Sequence, residues 1–401
     1  MHKSHQIKLH PTKKQKLFFK KSCGVARFAY NWSLNRWNEK YKNGEKCSAY
    51  TLIKELNSIK KQQFLWMQET GKCASQYAIH DLEAAFKSFF KKKSKYPRFK
   101  KKGVHDSFVS VENTVSFEIK NNKIWIPRLG YVKCCEELRF ENSKPLSVTI
   151  KRIADMWFAV INVEIESPTK APIVSENQAT IGVDVGIKTM LILSDGTTFE
   201  SPKALKSNSK SLKHLQRGLS RKQKGSVNRR KQQMRVAKKY YRISCIRKNA
   251  IHQATTFIVK KYDKIVIENL NVKGMVKNHN LAKVLSDVSF GEIARQLTYK
   301  AQWAGKELIK SDSFFASSKT CSNCGNKKST LLLSERIYEC EKCGIKIDRD
   351  LNAAKNLPTY CPTLKPSESE AFGGTNSAIE KSFRVSKKKE IVLCDKNKLI
   401  N

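Results

Sequence analysis

The chain has 401 residues, of which 40% are hydrophobic and 28% are charged. This length allows about two or three domains, and the apolar content suffices for real cores, which excludes a wholly disordered charged tail. The 78 Lys and Arg residues against 35 Asp and Glu give a formal net charge of +43. Because repulsion on this scale opposes compaction, the composition predicts a large polyanion as partner; the alternative is a soluble protein with an unusually basic surface.

The composition also bears on membranes and on the redox compartment. No run approaches the ~18 apolar residues of a spanning helix, and the amino-terminal MHKSHQIKLH has no apolar core of a signal peptide. Eight of the twelve cysteines show no regular framework, while four form one compact pattern. We therefore expect a cytoplasmic protein with no membrane partner, in a reducing compartment and with one metal site.

The first part of the chain predicts helices followed by a sheet. Residues 5–11 have the pattern of a short strand, and residues 12–93 have helical periodicity with aromatic positions such as Phe18 and Trp32. From about residue 108 to residue 166, short alternating runs such as SFVSVE and MWFAVINVEI predict a small antiparallel sheet or barrel, which the amino-terminal strand would join. Residues 166–178 have the composition of a linker.

A basic loop, KKKSKYPRFKKKG at 91–103, sets two aromatic residues among cations. Aromatic side chains between Lys and Arg are typical of surfaces that stack on unpaired bases. The alternative is a solvated run of charge. The candidate nucleic-acid contacts in this loop are Tyr96, Arg98, Phe99 and Lys100.

The next part predicts a strand, a β-hairpin and a basic helical hairpin. IGVDVGIKTMLILSDGTTFES, residues 181–201, has the pattern of a strand followed by a hairpin, and residues 201–248 contain 17 Lys and Arg and no acid. Apolar residues recur at sevens on either side of Gly225, which predicts two antiparallel helices with a narrow apolar seam; disorder is the alternative. The predicted seam consists of Leu205, Leu212 and Leu219 on one helix and Val227, Met234 and Tyr241 on the other, and the candidate nucleic-acid contacts are Arg217, Arg221, Arg229 and Arg230.

The chain after residue 248 predicts further helices and strands and, at its end, a flexible tail. A helix over 249–261 precedes the strand KIVI at 264–267, and residues 287–311 predict another helix and a short strand. From Thr359 the chain mixes Pro, Ser, Glu and Lys with little periodicity, which predicts a flexible tail.

Four cysteines have the spacing of a zinc ribbon. Two C-x2-C pairs lie fifteen residues apart, and each pair places two thiolates on one tight turn. Folding one turn onto the other completes a tetrahedral zinc site, and four protein ligands make such a zinc structural; disulfides or a redox pair are the alternatives. The predicted ligands are Cys321, Cys324, Cys340 and Cys343.

Three acids occupy positions where a carboxylate is costly. Asp184 lies inside an apolar strand, Glu268 ends another, and Asp350 opens a predicted helix. A buried carboxylate needs a cation, and the oxygen ligands of three acids suit magnesium. Two ions held ~4 Å apart would activate water and stabilise the leaving oxygen of a phosphodiester.

Each acid also has a simpler interpretation. Asp184 could be a hydrogen-bonded turn residue next to Gly186, and Glu268 could face solvent at a strand end. Asp350 could cap its helix, and Asp348 competes with it for any ligand role.

Several segments resemble one known family. IGVDVGIKTMLILSDG, KIVIENLNVKGM, SSKTCSNCG, CEKCGIKIDRDLNAAKNL and the early KLHPTKKQ and YNWSLN are similar to segments of the OrfB/TnpB family of insertion-sequence proteins, ancestors of the type V CRISPR effector nucleases. The resemblance runs from about residue 6 to residue 358, and its most specific part is the zinc ribbon followed by DRDLNAAKNL.

The resemblance implies a multidomain α+β protein. Its nuclease would have the RNase H-like (RuvC) α/β fold with an inserted zinc ribbon, preceded by a helical recognition lobe and a wedge β-barrel. The implied boundaries are 1–11 with 108–166 for the split wedge barrel, 12–107 for the recognition lobe, 172–318 for the nuclease with a basic lid at about 201–250, 319–346 for the ribbon, 347–358 for the last nuclease helix and 359–401 for the tail.

The resemblance also implies a function. By motif match, Asp184, Glu268 and Asp350 are the acids that bind two Mg²⁺, with Mn²⁺ as a substitute, and Asp350 is preferred because the family's acid stands two residues before the Asn of the NAA run, here Asn352. Such proteins bind a guide RNA from the transposon's end and cleave matching double-stranded DNA beside a short motif, with the protein reading the motif and base pairing reading the rest. The resemblance also implies one protein monomer on one RNA, in the prokaryotic cytoplasm or nucleoid.

Three other functions use similar residues. A transposase that joins DNA strands would employ the same acids and metals, and an RNA-guided repressor would have lost cleavage, although all three acids are present here. An ATPase of the actin or sugar-kinase type also carries Asp-x-Gly on its first strand, but no other phosphate-binding segment accompanies it.

Overall fold

An antiparallel sheet of seven strands dominates the first part of the chain. The computed structural model describes residues 1–112, 119–140, 143–165, 179–312, 315–332 and 334–360, so the predicted linker at 166–178 and residues 361–401 of the predicted tail lie outside the described residues. The strand order is β2-β6-β7-β1-β5-β4-β3. The bounds are His2–His10 (β1), Ser107–Glu112 (β2), Ile119–Lys120 (β3), Lys123–Ile126 (β4), Gly130–Cys134 (β5), Lys144–Ile153 (β6) and Met156–Glu164 (β7).

The amino-terminal strand lies inside this sheet. β1 pairs along its length with β7 and through its end with β5, and its residues alternate between solvent and core. In the described order β2 and β3 are the outermost strands, so closure of the sheet into a barrel stays a prediction.

Three helices pack on this sheet: α1 (Lys13–Lys42), α2 (Ala49–Gln63) and α3 (Lys72–Phe90). α1 begins at a capping box, in which the Thr12 side chain and the Gln15 side chain each bond the other's backbone N–H. α2 begins the same way at Ser48.

The helices and the sheet share one hydrophobic core. Phe19 of α1 lies 5.1 Å from the ring of Trp157 on β7, and Leu34, Leu52 and Leu82 of the three helices belong to the same buried cluster as the inward strand residues. The predicted recognition lobe and wedge are thus joined by continuous apolar packing.

The second part of the chain builds a mixed sheet of five strands in the order β10-β9-β8-β11-β12. β9 runs antiparallel to its neighbours β8 and β10, and β11 and β12 run parallel to β8. The bounds are Thr180–Asp184 (β8), Thr189–Leu193 (β9), Thr198–Glu200 (β10), Lys264–Ile267 (β11) and Glu307–Lys310 (β12).

Helices cover both faces of β8. Ile181 and Val183 join a core with residues of α6 (Val227–Lys261) and α9 (Phe290–Ala304). On the other face, Gly182 lies against α10 (Arg349–Asn356): a Cβ at this position would lie 2.1 Å from the carbonyl oxygen of Ala354. Only glycine allows so close an approach of helix and strand.

A helical hairpin extends from this sheet, as the sequence predicts. It consists of α4 (Ala204–Ser207), α5 (Ser209–Ser220) and the first part of α6, which continues without a break for 35 residues through the region predicted as a separate helix. At its base, the buried carboxylate of Asp287, on α8 (His279–Val288), accepts the backbone N–H groups of Leu205 and Lys206 and lies 3.6 Å from Arg247 of α6.

The hairpin seam differs from the predicted one on α6. Leu212 is buried and Leu205 and Leu219 pack beside it, but the residues facing them on α6 are Val236 and Ile243. The prediction of Val227, Met234 and Tyr241 is wrong as a set, since Val227 is 63% exposed and Tyr241 lies by Phe158 of the sheet. The buried amide of Gln232, which donates to the carbonyl of Leu215, occupies a seam position that hydrophobic periodicity does not mark.

The last described elements are a two-stranded ribbon and its connections. β13 (Ile337–Glu339) pairs antiparallel with β14 (Lys346–Asp348), which leads directly into α10. The short helix α7 (Val272–Met275) follows β11. No described helix is long and apolar enough to cross a membrane.

Replacing Gly182 by alanine should separate α10 from β8. The added methyl group would clash with backbone and with Leu357 and Pro358, and we expect the free energy of unfolding to fall by about 1–3 kcal/mol. Urea denaturation measures it. Gly291→Ala, in a helix with no heavy atom within 4 Å of the new Cβ, is the control and should leave the midpoint unchanged or slightly raised. Equal midpoints for both variants would contradict the close packing.

Candidate metal centres and catalytic site

The sheet register places Asp184 and Glu268 side by side. Val183 of β8 pairs with Ile267 of the parallel strand β11, and each acid is the next residue of its chain. Neighbouring strands lie ~4.8 Å apart, and paired residues of parallel strands point to the same face. Two carboxylates separated by 84 positions of sequence thus meet at the carboxyl edge of the sheet.

Helix α10 brings Asp350 to the same edge. Ala354, near its end, and Leu357, just after it, cover Gly182, so the beginning of the helix lies toward Asp184, two residues further along β8. A Cβ built on Gly186 would lie 4.0 Å from Oδ2 of Asp350. The third acid therefore reaches the loop that follows Asp184.

Asp348 has a different task from Asp350. Its side chain caps α10 by accepting the backbone N–H groups of Asp350 and Leu351, at 3.0 and 3.1 Å. A carboxylate at this position satisfies helix N–H groups that have no partner within the helix. The sequence left open whether Asp350 caps the helix. In the structure Asp348 caps it, so the carboxylate of Asp350 does not serve as the cap.

The three acids repel one another. Burial raises the pKa of Asp184 well above its usual range, and the carboxylates of Glu268 and Asp350 raise it further. A backbone hydrogen bond at Val185 and the guanidinium of Arg349 act in the opposite direction without offsetting the increase. Asp184 is only 9% exposed, so its negative charge is costly unless a cation approaches.

The carboxylates are gathered less tightly than the cysteines. The four cysteine Sγ atoms all lie within 4.8 Å of one another. Among the described residues, the three carboxylates do not form a group that is this compact. A pair of ions ~4 Å apart, completed by water and phosphate oxygens, spans a wider set of ligands than a single ion does.

Removing the charge of Asp184 should stabilise the ion-free protein. Because the folded pKa is raised, the acid costs stability once the pH exceeds its unfolded value, and Asp184→Asn removes this cost. We expect a gain on the order of 1 kcal/mol at neutral pH that shrinks as the pH falls. Thermal denaturation with a chelator of Mg²⁺ measures it.

Asp155→Asn provides the control, because Asp155 is a surface acid whose partner is Lys238, 2.7 Å away. It should show no such gain. A loss of stability in Asp184→Asn at neutral pH would contradict the repulsion among the three acids.

The four cysteines have the geometry of a tetrahedral thiolate site. Sγ of Cys321 lies 3.6 Å from Sγ of Cys343, and Sγ of Cys324 lies 3.5 Å from Sγ of Cys340. Disulfide sulfurs are ~2.05 Å apart, whereas four sulfurs at about 2.3 Å from one zinc are roughly 3.8 Å apart. The spacing fits zinc and excludes two disulfides.

Each cysteine pair sits on the same kind of turn. Gly325 and Gly344 follow the second cysteine of each pair with φ of 72° and 70°, and their N–H groups donate to the carbonyls of Cys321 and Cys340. A backbone N–H at Ile345 lowers the pKa of Cys343 to about 6, and the backbone of Cys343 likewise lowers the pKa of Cys340. The second turn thus favours the thiolate form that zinc binds, whereas burial and hydrogen bonding with the neighbouring cysteines raise the pKa of Cys324 on the first turn.

The purified protein should contain one zinc per chain. Cys340→Ser removes a ligand that is 1% exposed, and we expect it to lose the metal together with a large part of its resistance to proteolysis within residues 319–346. Elemental analysis measures the zinc. Cys245→Ser, at an exposed cysteine outside the ribbon, should retain full zinc content; equal zinc in both variants would contradict the assignment.

Two asparagines on α10 tie the ribbon to the acid site, and the sequence did not single out this role. The Asn352 amide donates to the carbonyl of Thr320, and its oxygen accepts the N–H of Ser322. One turn later, Asn356 donates to the carbonyls of Ser317 and Thr320. Their only sequence signal is a pair of asparagines four residues apart within an alanine-rich helix, where asparagine is unfavourable without partners.

The predicted contacts of the basic loop divide into two groups. Lys100 is anchored: its backbone bonds the Asn31 side chain in both directions, and its ammonium lies 4.0 Å from the ring centre of Tyr30. The hydroxyl of Tyr96 donates to Asn38. Arg98 and Phe99 are exposed, and Arg98 forms no ion pair within the part of the chain that the structure describes.

The predicted arginines of the hairpin divide similarly. Arg229 donates to the carbonyls of Leu219 and Lys222, at 2.7 and 2.8 Å, and thereby closes the end of α5. Arg217, Arg221 and Arg230 are exposed. Nucleic-acid contact by either group stays a prediction.

Three family models match the chain. The OrfB_IS605 model, described as "Probable transposase", matches residues 160–279, and a "Cas12f1-like, TNB domain" model matches residues 290–357. A model described as "Helix-turn-helix domain" matches residues 1–46, where the structure has one strand and one long helix.

Whole proteins match as well. The chain is 30% identical over 377 residues to "Putative RNA-guided DNA endonuclease InsQ" of Escherichia coli (strain K12), covering 88% of this chain and 90% of InsQ. It is 33% identical over 366 residues to a "Putative RNA-guided DNA endonuclease" of Streptomyces pristinaespiralis, covering 88% of each chain. The chain therefore belongs to the OrfB/TnpB family, which confirms the predicted membership.

A solved structure shares the fold. The Cas12f1-sgRNA-target DNA complex, determined by cryo-EM, matches with a TM-score of 0.56 and 16% identity, covering 86% of this chain and 83% of that one. This likeness confirms the predicted α+β fold class, whereas the division into subdomains stays a prediction.

Proposed function

We propose that the protein is an RNA-guided DNA endonuclease that hydrolyses a phosphodiester bond with two divalent ions. The observation that carries the proposal is the meeting of Asp184, Glu268 and Asp350 at one edge of the five-stranded sheet. The names of the relatives InsQ and the Streptomyces pristinaespiralis protein support the same activity.

The sheet supports a RuvC-like nuclease of the RNase H fold. Three antiparallel strands followed by two strands parallel to the first give the order 3-2-1-4-5 that this fold uses, here β10-β9-β8-β11-β12. Ligand sites of open α/β sheets lie at the carboxyl ends of the parallel strands, where Asp184 and Glu268 stand.

The residues at this edge fit Mg²⁺ chemically. All three donors are carboxylates, which magnesium prefers, and the nearby guanidinium of Arg349 offsets only part of the charge of the buried Asp184. Asp184, Glu268 and Asp350 would hold the ions, and Mn²⁺ would substitute. When bound, the two ions neutralise phosphate charge, activate water and stabilise the leaving oxygen.

The chain's own residues prepare the site. Burial fixes Asp184, the capping bonds of Asp348 leave Asp350 unengaged, and the hydroxyl of Ser317 holds one oxygen of Glu268. The half-buried Glu268 and Asp350 face an edge that a phosphate can approach. The close approach of α10 at Gly182 maintains the spacing between the helix and the two strand ends.

The rest of the chain supplies nucleic-acid binding. An RNA with a guide segment and its DNA heteroduplex present dozens of phosphates, which suits a chain with a net charge of +43. We assign structural zinc to the four cysteines and contact with RNA or DNA to the exposed residues Arg98, Phe99, Arg217, Arg221 and Arg230. The basic hairpin acts as a lid over the acids, and one monomer binds one RNA beside double-stranded target DNA.

The two neighbouring acids of α10 should differ in their effect on cleavage. Asp350→Asn is expected to lower the rate of target cleavage at least about 100-fold, because it removes a metal ligand. Asp348→Asn should retain the rate within a few-fold, since asparagine caps helices as well as aspartate does. The measurement is cleavage of a plasmid that matches the RNA co-purifying with the protein, and both variants should keep that RNA.

The products distinguish the alternatives. Linear plasmid alone supports hydrolysis, whereas joined DNA strands would indicate a strand-transfer transposase. A protein that binds the matching plasmid without cutting it in Mg²⁺ or Mn²⁺ would be an RNA-guided repressor. Equal cleavage by the two aspartate variants would contradict the assignment of Asp350.

A further inference from the structure

A buried serine contacts one of the three acids. Ser317 lies between β12 and the first cysteine pair, is 3% exposed, and its hydroxyl donates to Oε1 of Glu268. The serine is 49 residues away from the acid in sequence and belongs to no helix or strand. No sequence pattern predicts this contact.

The backbone of Ser317 is held without its hydroxyl. Asn356 donates to the Ser317 carbonyl at 2.7 Å and to the Thr320 carbonyl at 2.6 Å, and Asn352 bonds Thr320 and Ser322 on the same side. Segment 317–322 is therefore a strap fixed to α10 at three residues. Since these bonds use main-chain groups of the strap, the Ser317 hydroxyl is not needed to keep the strap in place.

The hydroxyl restricts the carboxylate of Glu268. A glutamate at a strand end rotates about three side-chain bonds, and ordering it for ligation costs rotamer entropy. A donor on Oε1 removes part of this freedom before any ion arrives and leaves Oε2 and the remaining lone pair of Oε1 for ligation. Hydrogen-bonded ligand carboxylates are a recurrent feature of metal sites because the bond orients the ligand.

The strap also connects the two metal centres. Its last residues are part of the first cysteine turn, where Cys321 is 2% exposed, and its first residue bonds Glu268. Asn352 stands two residues after Asp350 on α10. The contacts of the strap thus link the first cysteine turn to two acids that come from different elements of the fold.

We propose that Ser317 is a positioning residue that orients Glu268 for divalent-metal binding, and that the strap 317–322 makes this orientation depend on the folded ribbon. The proposal rests on the proposed function, since it requires that Glu268 ligate a metal. It adds a residue outside the three acids and a role for the ribbon beyond its own stability.

The test compares Mn²⁺ binding by four full-length, zinc-loaded proteins: the wild type, Ser317→Ala, Ser318→Ala and Glu268→Gln. Ser318 is the matched control because it is the adjacent serine, and no hydrogen bond of its side chain is described. Calorimetric titration gives the affinity, and thermal denaturation without Mn²⁺ gives the stability. We expect Ser317→Ala to bind Mn²⁺ about 10-fold more weakly, with an unchanged denaturation midpoint, and Ser318→Ala to match the wild type.

The outcomes separate this inference from the proposed function. Wild-type affinity in Ser317→Ala, with weakened binding in Glu268→Gln, would overturn the positioning role alone. The positioning role would also be overturned if Ser317→Ala bound Mn²⁺ more weakly only because the variant is less stable, as a lower denaturation midpoint would show. The serine would then be structural. Equal Mn²⁺ binding by wild type and Glu268→Gln would instead refute the metal site on which the proposed function depends.

The metal dependence of cleavage gives a second readout. A misoriented ligand is compensated by mass action, so Ser317→Ala should need about 10-fold more Mg²⁺ for half-maximal cleavage and approach the wild-type rate at saturating Mg²⁺. A reduced rate that Mg²⁺ does not restore, with an unchanged half-maximal concentration, would overturn the positioning role.

Discussion

The acid site depends on the direct packing of α10 against β8 at Gly182. A strand covered on this face by ordinary side chains would hold a helix ~10 Å away, whereas here the backbones nearly touch. The helix then begins beside Asp184, and the parallel register of β8 and β11 supplies Glu268. The absence of a side chain at Gly182 thus allows α10 to place Asp350 beside the two acids that the strands supply.

The three carboxylates destabilise the site by mutual repulsion when no cation is bound. Three acids meet at a sheet edge, with one of them buried, in a chain that elsewhere has an excess of positive charge. A lysine or arginine side chain could neutralise these carboxylates, but it would compete with metal ions for them. Under the proposed function, this concentration of negative charge on a basic molecule would favour small divalent cations at the acids, while RNA and DNA would bind elsewhere on the surface.

Sequence patterns predicted the cysteine ligands, the three acids and the helical hairpin because each follows local rules of spacing or periodicity. The contacts that organise these residues are not local. Ser317 and Glu268 meet only because β11, β12 and the strap are neighbours in space, and the roles of Asp348 and Asp350 differ only through helix capping geometry. The seam of α6 was misassigned because a buried Gln232 interrupts its apolar spacing, and hydrophobicity alone does not identify a polar residue whose amide has a partner.

The core shared by α1–α3 and the seven-stranded sheet limits how the protein can rearrange. Exposing five of its fully buried large side chains would cost about 1.5–3 kcal/mol for each, which together is comparable to the ~5–15 kcal/mol that stabilises a typical domain. Helices α1–α3 and the seven-stranded sheet are therefore expected to move together as one rigid body. Any conformational change that the proposed binding of RNA and DNA requires would then take place in other parts of the molecule.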